Sequence, residues 1–146
     1  MTKTIWFDMD GTIADLYGVE NWLPMLRAFD PAPYATAPTL VHMSTLARLI
    51  HKTQAKGNKV GIISWLSKTS TPKYDAKVTA AKLAWLAQHL PSVQFDEIHI
   101  VPYGVPKQTF CKTPCDILFD DEAKNRDNWT GEAYDVNNIF EILASL

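Results

Sequence analysis

Two pairs of carboxylates stand directly after short apolar runs. Asp8 and Asp10 follow Thr4-Ile5-Trp6-Phe7, and Asp120 and Asp121 follow Ile117-Leu118-Phe119. Ser64 ends a third run, Val60-Gly61-Ile62-Ile63. If strand geometry continues past Phe7, Asp8 and Asp10 project to the same side. Clustered carboxylates repel one another and are unfavourable beside an apolar core unless something positive joins them. These motifs offer only oxygen donors, with no His or Cys beside them, which favours a hard cation. Mg2+ is the usual partner where phosphate is bound as well. A single acidic pair has a plainer reading, as a solvated strand end or a helix cap. Two pairs, each immediately after a buried strand, weigh against it.

The elements that must position these acids alternate along the chain. Residues 4–7, 59–64, 97–101, 116–119 and 133–136 read as strands. Residues 39–56 read as a helix with Leu40, Met43, Leu46, Ala47 and Ile50 on its apolar face, Thr39 as its cap and Gly57 as its stop. Residues 73–90 read as a second long helix, with Val78, Ala81, Trp85 and Leu86 on one side and Pro91 beyond its end. Val19, Trp22, Leu23, Leu26 and Phe29 have helical spacing, and Pro24 among them predicts a kink or two shorter pieces. Pro31, Pro33 and Pro38 predict an irregular loop over 30–38, and Asn137 is placed to cap a last helix. This alternation predicts an α/β fold with about five strands in a mainly parallel sheet. Ligands of such sheets bind outside the carboxyl ends of the strands, near the point where strand order reverses. Three strands therefore bring Asp8 and Asp10, Ser64, and Asp120 and Asp121 to one functional edge.

Composition sets the outer bounds. The 146 residues are about one domain's worth, and 47% hydrophobic with 21% charged residues excludes collagen-like, low-complexity and disordered chains. A net charge of −2, with no long basic run, argues against a surface for stable nucleic-acid binding. No apolar run approaches the roughly 18 residues needed to span a membrane. Met1-Thr2-Lys3 leads straight into the first strand without a leader, and Cys111 and Cys115 make no disulfide framework, so a cytoplasmic setting is expected. Those cysteines have no second metal-ligand pair and read as free thiols rather than a zinc site. His42, His51, His89 and His99 do not cluster, and no Walker-type phosphate loop is present.

Asp8-Met9-Asp10-Gly11-Thr12 resembles the first motif of the haloacid dehalogenase (HAD) superfamily in its phosphatase form. Ser64 resembles the second motif, Lys107 in Tyr103-Gly104-Val105-Pro106-Lys107 the third, and Asp120-Asp121 the fourth in its paired-Asp variant. The four stand in family order and together cover nearly the whole chain. The resemblance implies a three-layer Rossmann-like fold with strand order 3-2-1-4-5, a single domain over 1–146, and at most a very small helical cap over 15–38. It implies a phosphoric monoester hydrolase. Asp8 would be the nucleophile that forms an aspartyl-phosphate. Asp10 would protonate the leaving oxygen and then activate water. Asp8, the Asp10 backbone carbonyl, Asp120 and Asp121 would hold Mg2+. Ser64 and Lys107 would bind the phosphoryl group, and Gly11 and Thr12 would shape the turn around it and bind substrate. An acid two residues after the nucleophile is similar to the phosphatases and phosphotransferases of the superfamily, not to its dehalogenases or ion pumps. Lys68 is the runner-up to Lys107, with Lys73, Lys77 and Lys82 also between the second and fourth motifs; the ordinary reading of each is a surface lysine.

Between Asp10 and Thr39 there are fewer than about 30 residues, room for a small helical lid but not a full cap domain. An open site admits a bulky substrate, or a second subunit of a homodimer supplies the cover. Tyr17, Trp22, Tyr34, Trp65 and Tyr103 fall near the site loops. An aromatic face can stack on a base, worth roughly 1–3 kcal/mol. Core packing is the competing reading, favoured for Trp22 and evenly matched for Trp65, which is taken as a substrate-binding residue. The compact layout and Asp120-Asp121 are similar to the 5′(3′)-deoxyribonucleotidase branch, so a nucleotide is the expected small phosphorylated substrate. A phosphatase of nucleic-acid ends or of small metabolites is the alternative activity, and a non-catalytic binding protein on the same fold the alternative class. Asn125 is placed either to orient the paired acids or as an ordinary surface residue of a helix.

Overall fold

The computed structural model describes residues 2–146. Strands β1 (Thr4–Phe7), β2 (Lys59–Trp65), β3 (Glu97–Val101), β4 (Ile117–Phe119) and β5 (Glu132–Tyr134) form one sheet in the order β3-β2-β1-β4-β5, and every pairing is parallel. This is the expected α/β arrangement. β1 is central and buried along its whole length, which is why it reads as a continuous apolar run rather than an alternating one.

Alternate residues of the strands feed two different faces. Ile5 and Phe7 of β1, Val60 and Ile62 of β2 and Ile117 and Phe119 of β4 pack against helices α3 (Met43–Ala55), α4 (Pro72–His89) and α6 (Ile139–Ser145). Trp6, Ile63 and Leu118 point the other way, where Trp129 and Phe110 cover them. That second face is closed by the 3-10 turn Lys107–Phe110 and by α5 (Ala123–Asn128). Gly61 lies beside Trp6 in the strand register, and a Cβ there would collide with the indole. No helix among the described residues is long and apolar enough to cross a membrane.

Several local expectations are corrected. The first long helix starts at Met43, not Thr39: Leu40 N donates to Ile13 O at 2.9 Å and Asp15 N to Pro38 O at 2.7 Å, which ties 38–40 to 13–15 as extended chain. The His42 side chain, accepting from Thr45 N, caps that helix instead. Pro24 falls within the first turn of α1 (Trp22–Arg27), where its missing N–H would have had no helical partner, so it makes no kink. The proline-rich stretch after it is not irregular throughout, because Pro33 opens a short helix, α2 (Ala32–Thr36). Near the C-terminus β5 stops at Tyr134, Asp135 accepts from Val136 N at 2.7 Å to start a 3-10 turn, and Asn137 caps nothing.

Residues 15–38 hold a 3-10 turn (Leu16–Gly18), α1 and α2. Leu16 and Tyr34 pack with Leu66, Tyr74 and Val78, which seats this segment on the N-terminal half of α4.

Candidate active site

Strand order reverses between β1 and β4, and the acids gather at their carboxyl ends. Asp8 N donates to Phe119 O at 2.9 Å, so the backbone of Asp8 is fixed by the last rung of the sheet. Its side chain is held on both oxygens: Lys107 Nζ donates to Oδ1 at 2.8 Å and Thr12 Oγ1 to Oδ2 at 2.9 Å. Lys107 is almost wholly buried, and its ammonium also donates to Asp120 Oδ2 at 2.7 Å. It lies 5.2 Å from the centre of the Trp65 ring. Glu122 N and Asn125 Nδ2 complete the shell of Asp120, at 2.9 and 3.1 Å. Gly11 has φ of +82°, and a Cβ there would run into the Asp121 carboxylate, so this turn needs glycine twice over.

One oxygen each from Asp8, Asp120 and Asp121 lie within 4.8 Å of one another. Three carboxylates against the single Lys107 ammonium leave −3 + 1 = −2 when all are ionised. The pKa values register the imbalance. Burial, then the neighbouring Asp8 charge, push Asp120 up to about 6 and Asp121 up to about 8. Burial opposes the charge of Lys107, but Asp8 and Asp120 outweigh it and hold the ammonium well above the usual lysine range. An all-oxygen set with two uncompensated negative charges fits a hard divalent cation.

Asp10 belongs to a second cluster. Its Oδ2 accepts from Lys82 Nζ at 2.9 Å, and the same ammonium donates to Ser64 Oγ at 2.6 Å and to Trp65 O at 2.7 Å. The Asp10 carboxylate therefore stands apart from the three clustered acids. Burial raises its pKa, with Lys82 pulling in the opposite direction.

Three residues expected to bind substrate are not among those that line the cavity. Ser64 is fully buried under Lys82 and does not line the cavity. Gly11 and Thr12 do not line it either: their amides donate to Ala14 O and Met9 O, and the Thr12 hydroxyl is spent on Asp8 and Asp121. They build the loop from inside. A surface position is the ordinary expectation for Lys82, yet it is 1% exposed. The missed signal is its spacing: Lys82 stands four after Val78 and three before Trp85, on the apolar stripe of its helix.

A cavity of about 440 Å³ opens beside Asp8, Asp10, Lys107 and Asp120. Its walls are aromatic. Tyr17 and Trp22, from residues 15–38, meet edge to face at 5.0 Å, and Trp65 and Tyr103, 5.0 Å apart, also line the cavity. The Trp65 indole N–H donates to Val105 O at 2.8 Å, which fixes its ring. Trp22 is both packed against the second core cluster and part of the wall. Lys68 is exposed at the cavity, 5.9 Å from the Tyr103 ring, and makes none of the Lys107 contacts.

No family model matches the chain, and no curated protein matches it. Solved structures do. D,D-heptose 1,7-bisphosphate phosphatase from Burkholderia thailandensis aligns at a TM-score of 0.56 and 12% identity, over 99% of this chain and 97% of that one. A chain of a Pnkp1/Rnl/Hen1 complex aligns at a TM-score of 0.56 and 14% identity, over 93% of this chain. The match spans 45% of that longer chain. Identities this low establish a shared fold alone, a five-stranded parallel α/β sheet in the order β3-β2-β1-β4-β5.

Proposed function

We propose that this chain is a Mg2+-dependent phosphomonoesterase that acts through an aspartyl-phosphate on Asp8, with nucleoside monophosphates as its preferred substrates. The observation that carries the reading is the Asp8–Lys107–Asp120 arrangement at the switch point of the sheet, opening onto a cavity. Support for the phosphatase chemistry also comes from a neighbour of the same fold named as a phosphatase.

In the first step an Asp8 oxygen forms a bond to phosphorus as the bond from phosphorus to the leaving oxygen breaks. The Asp10 carboxyl gives its proton to that oxygen and an alcohol departs. In the second step water attacks phosphorus, Asp10 takes the water proton, and the bond to Asp8 breaks to release inorganic phosphate. The Lys107 ammonium, pinned between Asp8 and Asp120, faces the charge that grows on the phosphoryl oxygens. Asp8, Asp120 and Asp121 would hold Mg2+, which when bound offsets repulsion between carboxylate and phosphate. Thr12 keeps the Asp8 carboxylate in one orientation.

The aromatic walls favour a nucleobase as the rest of the substrate. Tyr17 and Trp22 come from the 15–38 segment, which would act as a minimal lid. A sugar phosphate is the second reading, favoured by the name of the heptose bisphosphate phosphatase neighbour. Phosphate release from nucleotides, sugar phosphates and phosphorylated oligonucleotides separates these. The expected ranking puts free nucleotides first, and Trp65→Ala, which also removes a ring 5.2 Å from Lys107, raises the KM of nucleotides about tenfold more than that of sugar phosphates. Faster turnover of sugar phosphates, with no effect of Trp65→Ala, would point to the second reading.

A further inference from the structure

We infer that Lys82 is a positioning residue for Asp10: it anchors one carboxylate oxygen so that the other faces the leaving group. The inference rests on the phosphatase reading above and adds to it a residue that touches no substrate. Lys82 projects from α4 and is 1% exposed, and it does not line the cavity. Its three N–H groups have three partners, Asp10 Oδ2, Ser64 Oγ and Trp65 O, at 2.9, 2.6 and 2.7 Å. The Tyr34 ring closes over the ammonium at 4.9 Å. With no donor to spare and no access, Lys82 cannot serve as a phosphate ligand.

Its geometry acts on Asp10 instead. Asp10 does line the cavity, and among the described residues its Oδ1 has no protein hydrogen-bond partner. With Oδ2 fixed on a buried cation, Oδ1 is the oxygen left unbonded at a cavity that Asp8 also lines. Ser64 and Trp65 O hold the cation in turn, so the C-terminal end of β2 sets the aim of an acid that follows β1. This also gives Ser64 a place in the site without contact to substrate.

A positioning role and a merely structural ion pair differ in how loss depends on the leaving group. An alkyl phosphate needs its leaving oxygen protonated; p-nitrophenyl phosphate hardly does. Because Asp10 also serves the hydrolysis step shared by both substrates, the comparison is made in kcat/KM, which reports the first step alone: Lys82→Met is expected to lower it about 100-fold on an alkyl phosphate but less than about threefold on p-nitrophenyl phosphate. In an Asp10→Asn background Lys82→Met is expected to add no further loss on the alkyl phosphate. Equal losses on both substrates, or an undiminished loss in the Asp10→Asn background, would overturn the inference. If Lys82→Met does not melt cooperatively, Ser64→Ala carries the comparison, since it removes one anchor of the ammonium. It should show the same split at about tenfold, and its absence counts against the inference. Wild-type protein inactive on both substrates would instead remove the phosphatase reading beneath it.

Discussion

The two ends of β4 each carry a buried aspartate, and they behave oppositely. At the amino end Asp116 accepts from Thr4 N, Lys112 N, Thr113 N and Thr113 Oγ1, at 2.9 to 3.2 Å. Burial works against its charge, but these donors outweigh it and lower its pKa. At the carboxyl end Asp120 also has donors, from Lys107, Asn125 and Glu122 N, yet its pKa rises to about 6. The difference is company: Asp120 faces Asp8 and Asp121, whereas no second acid contributes to the shift of Asp116. Burial of a carboxylate does not by itself mark a site. A buried carboxylate that other carboxylates crowd is one whose charge awaits a ligand.

Exchanging the two roles by mutation gives the largest contrast. Asp120→Asn is expected to lower phosphate release about 100-fold or more and to weaken Mg2+ binding, with metal-free stability kept or increased. Asp116→Ala should do the reverse. It strands four donors and is expected to cost about 3 kcal/mol in urea denaturation, with kcat of the folded protein unchanged. Similar effects of both variants on stability and activity would erase the distinction. One layer out, Asn125→Ala removes only one donor to Asp120, and a loss of about tenfold in Mg2+ affinity is expected by calorimetry.

A smaller effect divides the two ends by pH. Asp120 and Asp121 bind protons more tightly folded than unfolded, so metal-free stability should fall as pH rises from about 4 towards about 8. Asp116 has the opposite sign: its contribution is present above the unfolded value of 3.8 and is lost as pH falls below it. Mg2+ should therefore raise Tm more at pH 8.5 than at pH 5.5, and Asp116→Ala should flatten only the acid limb. An equal Mg2+ shift at both pH values would contradict the charge imbalance.

Much of this was legible in the sequence for a physical reason. A central parallel strand must be apolar on both faces, so a run such as Thr4 to Phe7 followed at once by acids marks a strand tip. Lys107 stands in a loop after a strand, the place from which a chain can reach the strand tips, and the fold brings it onto Asp8 across 99 positions. What stayed hidden depended on tertiary pairing. Lys82 was one more lysine until the fold buried it against Asp10 and Ser64. Thr39 looked like a helix cap because nothing local reveals that Ala14 pairs with it as extended chain. Ser64 has the right place at the end of β2, but its exposure depends on a helix that begins eight residues later, at Pro72.

The most direct measurement is chemical trapping on Asp8. Protein turning over a phosphate monoester with Mg2+ is quenched, reduced with borohydride and mapped by mass spectrometry. An aspartyl-phosphate at Asp8 predicts homoserine at position 8, dependent on substrate and absent in Asp8→Asn, which should also release no phosphate. Phosphate release that continues in Asp8→Asn, or a modified carboxylate at any other position, would contradict Asp8 as the nucleophile.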